Sequence, residues 1–363
     1  MGIPAREQIW SKGNIMNTGI SLYFSTGAAK NEEIIRKASA CGVKYAFTSL
    51  HIPEENGVEY KKDIRRMLKC CFEGGLQLIV DVGPETLEKL GVSRIEELEN
   101  TGITHVRLDY GFSPQETVRI AEKFHVVFNA STITEEDIRA WKAAGADFTR
   151  FTACHNFYPK QFTALSLESV REINRRLRCL GFDTMGFVPG NKELRGPLQE
   201  GLPTVEEHRG RRDEVLLNML ELFYEGMCGT VLIGDVDVWE KDWEDIAALS
   251  QNYVRLRVKI RPEYSFVRNI IHHDRPDSSD LVFRSQESRQ YRQQILPEGI
   301  CERPAGSISL SNEKYRRYMG ELEAARVDLP ADERLNIIGQ VAPEHLRYLG
   351  NTLFCRLSQR NDS

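Results

Sequence analysis

The 363-residue chain contains no Cys-x-x-Cys pair; its eight cysteines are scattered at positions 41, 70, 71, 154, 179, 228, 301 and 355. That spacing leaves no thiol redox motif and no zinc ribbon, and the neighbours Cys70 and Cys71 suit neither a zinc pair nor an unstrained disulfide. The pattern reads as reduced thiols of a cytoplasmic protein. No run approaches 18 consecutive apolar residues, so no membrane-spanning helix is expected. The opening "MGIPAREQIWSKGNIMNTG" has no apolar core of a secretory signal, and residues 1–16 are expected to form a polar extension. A net charge of −5 gives no reason to expect a nucleic-acid partner. The chain also lacks a strand followed by G-x-G-x-x-G, a P-loop, H-E-x-x-H and G-x-S-x-G. Without them there is no signature of a nucleotide cofactor, a two-histidine metal site or a nucleophile elbow.

What is present is an alternation. Short apolar runs expected as strands stand at "TGISLYFS" (18–25), "VKYAFTSL" (43–50), "LQLIVDVG" (76–83), "ITHVRLDY" (103–110), "HVVFNAS" (125–131), "ADFTRFTA" (146–153), "FDTMGFVP" (182–189) and "TVLIGDVD" (230–237). Amphipathic stretches lie between them, several ending in Gly, which accepts the left-handed conformation that closes a helix. "SPQE" and "TEED" carry an N-cap hydroxyl followed by acids. Eight such units over 17–252 favour a (β/α)8 TIM barrel over a doubly wound open sheet. From residue 253 the pattern changes. "VRLRVKI" alternates apolar with basic as a half-buried strand does, and "SISLS", "ARVDL", "NIIGQVA" and "TLFCRL" follow, so 253–363 reads as a smaller, mostly β domain.

In such a barrel chemistry sits where the strands end. The second strand runs into His51 and Glu54, the third offers Asp81, and the fourth Arg107 and Asp109, which share a face. Asn129 follows on the fifth; Arg150, His155 and Asn156 stand at or after the sixth; the eighth supplies Asp235 and Asp237. Each also has a plainer reading, such as a turn cap for Asp81, a helix start for one of Asp235 and Asp237, or a packed loop for "HNFYP". The long segment "PGNKELRGPLQEGLPTVEEHRGRR" carries Lys192, Arg195, His208 and Arg209, cations suited to phosphate or carboxylate or simply to solvent. A mouth rich in carboxylates, without metal or cofactor motifs, points to acid/base chemistry, with glycoside hydrolysis as the leading type.

Several of these stretches together ("GISLYFS", "FTSLHIPEE", "DVGPETLEKLG", "RLDYGF", "NAST", "HNFYPK", "GFVPGNKELRGPLQEGLPTVEEHR" and "VLIGD") resemble the 6-phospho-N-acetylmuramidase (MupG-like) family. The resemblance covers essentially everything after residue 16. It implies a TIM barrel followed by a cyclophilin-like β domain, and cytoplasmic hydrolysis of N-acetylmuramic acid 6-phosphate–N-acetylglucosamine, a product of cell-wall turnover, with no cofactor. On that basis Asp109 and Asp235 lead the catalytic candidates, ahead of Asp81 and Glu54. His51, Asn129, His155 and Asn156 are candidates to hydrogen-bond the sugar; Arg150, Lys192, Arg195, His208 and Arg209 are candidates to grip the phosphate and the lactyl carboxylate. The β domain is a candidate for homodimerisation or for roofing the barrel mouth. Rival readings are another phosphosugar barrel enzyme (isomerase, epimerase or aldolase) and a non-catalytic sugar-phosphate-binding protein.

Overall fold

Apolar runs too short for helices form eight strands: β1 (Asn17–Ser21), β2 (Tyr45–Ser49), β3 (Gln77–Val82), β4 (His105–Leu108), β5 (His125–Asn129), β6 (Phe151–Cys154), β7 (Asp183–Val188) and β8 (Thr230–Ile233). In the computed structural model each pairs in parallel with the next, and β8 pairs with β1 to close a barrel. The structure describes residues 15–50, 60–83, 87, 92–108, 111–277, 279–288, 293–349 and 354–359. Residues 1–14, most of the expected polar extension, lie outside it. The barrel's helices are α1 (Ala28–Ala40), α2 (Tyr60–Glu73), α3 (Pro114–Ala121), α4 (Glu135–Ala143), α5 (Leu167–Cys179), α6 (Glu206–Gly210), α7 (Val215–Leu220) and α8 (Glu240–Ser250), while a 3-10 helix, Ile95–Thr101, lies between β3 and β4. Ser113 and Thr134 start α3 and α4 with reciprocal capping boxes to Glu116 and Asp137, each side-chain cap worth about 1 kcal/mol. Among the described residues no helix is long and apolar enough to cross a membrane.

The sixth strand departs from expectation. Asp147 accepts the Thr149 N–H at 3.1 Å and winds Phe148–Arg150 into a 3-10 turn, so β6 begins only at Phe151. Aromatic, β-prone residues suggested a strand there, but a local side-chain-to-backbone bond competes successfully with the ladder.

Strand alternation points Phe47, Ile79, Val127, Cys154, Met185, Phe187 and Leu232 into one buried cluster. Gly19 belongs to this interior for steric reasons: a Cβ there would lie 2.6 Å from Leu232 Cγ. Two imidazoles lie at the N-terminal ends of the strands. His105 and His125 stack with centroids 5.0 Å apart, and His125 Nε2 bonds Thr152 Oγ1 at 2.7 Å. Burial, then His125 and Lys44, lower the His105 pKa to about 4. Burial also lowers that of His125, against the opposing pull of Asp183.

The chain divides into two compact units, one through Gln251 and one from Asn252. In the second, β9 (Val254–Ile260), β10 (Ile271–His273), β11 (Val282–Arg284), β12 (Ser307–Ser311), β13 (Leu322–Ala325), β14 (Leu335–Val341) and β15 (Phe354–Gln359) form a seven-stranded sheet in the order β10-β15-β9-β14-β12-β13-β11. It is antiparallel except where β15 pairs with β9. The strict alternation of β9 buries Val254, Leu256, Val258 and Ile260. The run "ARVDL" is not itself a strand, since β13 ends at its first residue, Ala325.

Gly19→Ala is expected to destabilise the barrel by about 1–3 kcal/mol through overpacking against Leu232, read as a lower denaturant midpoint with an unchanged slope. The two histidines also predict a pH dependence. Unfolded imidazole titrates near 6.5, so below that pH the unfolded chain takes up protons that folded His105 does not accept until about 4. The His105 contribution is therefore complete above pH 6.5 and is lost as pH falls towards 4, with His125 acting in the same direction; His105→Asn should flatten that decline in unfolding titrations.

Candidate functional site

The parallel register of β2, β3 and β4 aligns Ser49 with Asp81, and Asp81 with Arg107. All three side chains come from the C-terminal ends of their strands and are buried. Ser49 Oγ donates to Asp81 Oδ2 at 2.9 Å, and Arg107 Nη1 donates to Asp81 Oδ1 at 3.1 Å. Both bonds use Asp81 as an acceptor, the role of a carboxylate anion. The second Arg107 nitrogen, Nη2, donates to Asn156 Oδ1, which joins the loop after β6 to the row.

This row borders a cavity of about 430 Å³. The rings of Phe47, Phe157 and Phe187 form an apolar wall, packed edge to face with centroids 5.2–6.2 Å apart. His155 also lines it, wholly buried. Its Nε2 lies 2.9 Å from Asn174 Oδ1, while Asn174 Nδ2 donates to Gly226 O at 2.7 Å. That orientation makes Asn174 Oδ1 the acceptor and puts the ring proton on Nε2. His155 Nδ1 then accepts from Ser131 Oγ at 3.1 Å, and Asn129 Oδ1 accepts the Ser131 N–H at 3.0 Å. Burial lowers the His155 pKa to about 4, so the ring is neutral at pH 7.

The remaining wall is residues 195–202, part of the connection from β7 to α6. Two buried ions hold its main chain. Asp235 accepts the N–H groups of Gly190 (2.8 Å), Arg195 (3.0 Å) and Leu202 (3.0 Å). Burial pushes its carboxyl up, while the N–H groups of Arg195, Gly190 and Leu202 pull it back towards the anion. Arg209 donates to the carbonyls of Glu200 (3.1 Å), Gly201 (2.9 Å) and Tyr158 (2.8 Å), and to the Glu206 carboxylate (2.7 Å). The Arg195 guanidinium lies 4.9 Å over the Tyr23 ring and lines the cavity.

The sequence candidates separate accordingly. Asp81, Arg195, His155 and Asn156 line the cavity, and Asn129 is linked to it through Ser131. Asp235 and Arg209 are committed to main-chain groups. His208 bonds Glu221 at 2.9 Å, its pKa lowered by burial, and Lys192 pairs with Asp237 at 3.2 Å. Arg150 precedes β6 and so lies at the opposite end of the barrel from the cavity; it donates to Ala121 O at 2.7 Å near the end of α3. Asp109, Glu54 and His51 lie outside the described residues. Sequence reasoning did not single out Ser49, Phe47, Phe187 or Glu200, all of which line the cavity. The first three sit at strand positions whose inward face only the barrel register reveals. Among the described residues no set of three His, Cys, Asp or Glu side chains converges as metal ligands.

Comparison with known proteins adds a family. A model described as "6-phospho-N-acetylmuramidase, N-terminal" matches residues 18–248, and one described as "6-phospho-N-acetylmuramidase, C-terminal" matches residues 254–351. A crystal structure of a conserved Enterococcus faecalis protein of unknown function is 31% identical with a TM-score of 0.73, over 95% of this chain and 97% of that one. An uncharacterised B. cereus protein shares the fold at 24% identity and a TM-score of 0.72, over 95% of this chain and 99% of that one. No curated protein matches the chain.

Asp235→Ala removes the acceptor of three N–H groups. The expected result is a loss of about 3 kcal/mol or more, with faster proteolysis inside residues 190–202, read by unfolding midpoint and by mapping of the first cleavage sites.

Proposed function

The chain belongs to the 6-phospho-N-acetylmuramidase family, and from that premise we propose that it is a glycoside hydrolase acting on N-acetylmuramic acid 6-phosphate–N-acetylglucosamine in cell-wall recycling. The observation that carries the reading is the Ser49–Asp81–Arg107 row beside an aromatic wall. Cleavage of a glycosidic bond builds positive charge on the sugar ring, and a held carboxylate in a site shielded from water stabilises it. Asp81 fits that need, whether it attacks the anomeric carbon, activates water or supports the substrate's acetamido group. Aromatic rings suit the C–H face of a pyranose and an acetyl methyl.

The substrate carries a phosphate and a lactyl carboxylate. Guanidinium groups recognise both through paired donors, and Arg195 is the cation of the β7–α6 connection that lines the cavity. His155, with its tautomer set by Asn174 and its Nδ1 accepting from Ser131, presents a neutral, fixed ring to the cavity. A Schiff-base aldolase would need a lysine at the cavity, and none stands among its described lining residues. Because the substrate is a phosphosugar, the reading carries a cytoplasmic location with it.

The test is release of free N-acetylglucosamine from the phosphorylated disaccharide. Wild-type protein should release it, and Asp81→Asn should lower kcat/KM by at least about 100-fold while folding is retained by circular dichroism. Tight binding without release would make the protein a sugar-phosphate binder instead.

A further inference from the structure

Among the described residues lining the cavity, two carry carboxyl groups: Asp81 and Glu200. Asp81 sits at the base and accepts from Ser49 and Arg107. Glu200 is on the wall formed by the β7–α6 connection, half-buried, its Oε2 accepting from the Gln161 side-chain amide at 2.6 Å. A solvated surface glutamate needs no scaffold, yet this one is surrounded by one. Arg209 grips the carbonyls of Glu200 and Gly201, and Asp235 pins Arg195 and Leu202 on either side of it. The residue before it, Gln199, is held at φ +54, a conformation that a side chain adopts at a cost and that clusters at functional sites. Gly201 at φ +82 completes the turn. Two desolvated charges and a strained residue thus fix the main chain that carries Glu200 at the cavity, and Gln161 holds its carboxyl, the kind of support a working side chain requires.

Resting on the glycosidase reading above, we propose that Glu200 is the general acid that protonates the leaving sugar. A sugar hydroxyl is a poor leaving group, and bond cleavage calls for a proton on the glycosidic oxygen. The other polar side chains of the described wall do not supply one. Arg107 and Arg195 keep their protons, His155 is neutral and wholly buried, and both oxygens of Asp81 accept from Ser49 and Arg107, whereas Gln161 engages only Oε2 of Glu200. In the step, the Glu200 carboxyl gives its proton to the glycosidic oxygen as the bond from the anomeric carbon to that oxygen breaks, releasing N-acetylglucosamine as an alcohol. Water then delivers hydroxide to the anomeric carbon, and its remaining proton restores the carboxyl. The sum is one water consumed per bond. Gln161 is a positioning residue for the Glu200 carboxyl.

Leaving-group dependence tests the role. Wild type and Glu200→Gln are compared on the phosphorylated disaccharide and on a 2,4-dinitrophenyl glycoside of N-acetylmuramic acid 6-phosphate, whose phenolate departs without protonation. Glu200→Gln should lose at least about 100-fold in kcat on the disaccharide and less than about 10-fold on the aryl glycoside. Gln161→Ala should show the same selectivity in weaker form. Equal losses on both substrates, or none on either, would overturn the role of Glu200 alone. So would the selective loss appearing in Asp109→Asn or Glu54→Gln with Glu200→Gln unaffected. A wild-type protein inert on both substrates would overturn the hydrolase reading, and this proposal with it.

Discussion

The cavity depends on how one connection is held. Residues 189–205 leave β7 and reach α6 across the open end of the barrel, so their peptide groups are partly removed from water and need partners. Asp235 and Arg209 supply them in complementary fashion, the carboxylate taking N–H groups and the guanidinium taking carbonyls of the same turn. Burying either charge is costly in itself, and the fit tolerates little extra volume. A Cβ at Gly234 would lie 2.2 Å from Leu202 O, and one at Gly190 would lie 2.7 Å from Asp237 O. The constraint is steric and electrostatic together: the connection can lie against β8 only if glycine stands at the points of closest approach and a buried acid waits beneath it.

Two kinds of support then meet at the cavity. The strands provide Ser49, Asp81 and Arg107, aligned by hydrogen-bonded register and therefore rigid. The connection provides Arg195 and Glu200, set by the two buried ions. Phe47, Phe157 and Phe187, packed edge to face, give the same cavity an apolar face. The opposite end of the barrel has a different character. There His105, His125 and Thr152 fill the interior and Arg150 closes a helix end, which is stabilising work.

Much of the fold was legible because its signals are local. The alternation of apolar runs with amphipathic stretches depends only on neighbours in sequence, as do the hydroxyl-plus-acid caps at Ser113 and Thr134. The sixth strand was misjudged at its start because a single Asp147 side chain competes with β-propensity, a contest decided by geometry rather than by composition. The cavity wall was legible in part. Asp81 stands at a strand end and could be named, whereas Ser49 and Phe187 look like ordinary strand residues until the register shows which way they face.

Ionisable side chains were the hardest to read, since charge in the sequence does not say where the charge points. Asp235, Arg209, His208 and Lys192 all lie in stretches dense with functional-looking residues, and each is committed to other protein groups. Glu200 looked like one more acid of a polar loop, yet it reaches the cavity. Residue order by itself determined the eightfold barrel, the change to a β domain near residue 253 and the resemblance to a phosphosugar glycosidase family, because periodicity and motif spacing are properties of the chain. Only the tertiary structure decided which charges are spent on holding the backbone and which are left facing the cavity. The partners of Asp235 and Arg209 lie at loop positions that come together only when the barrel closes.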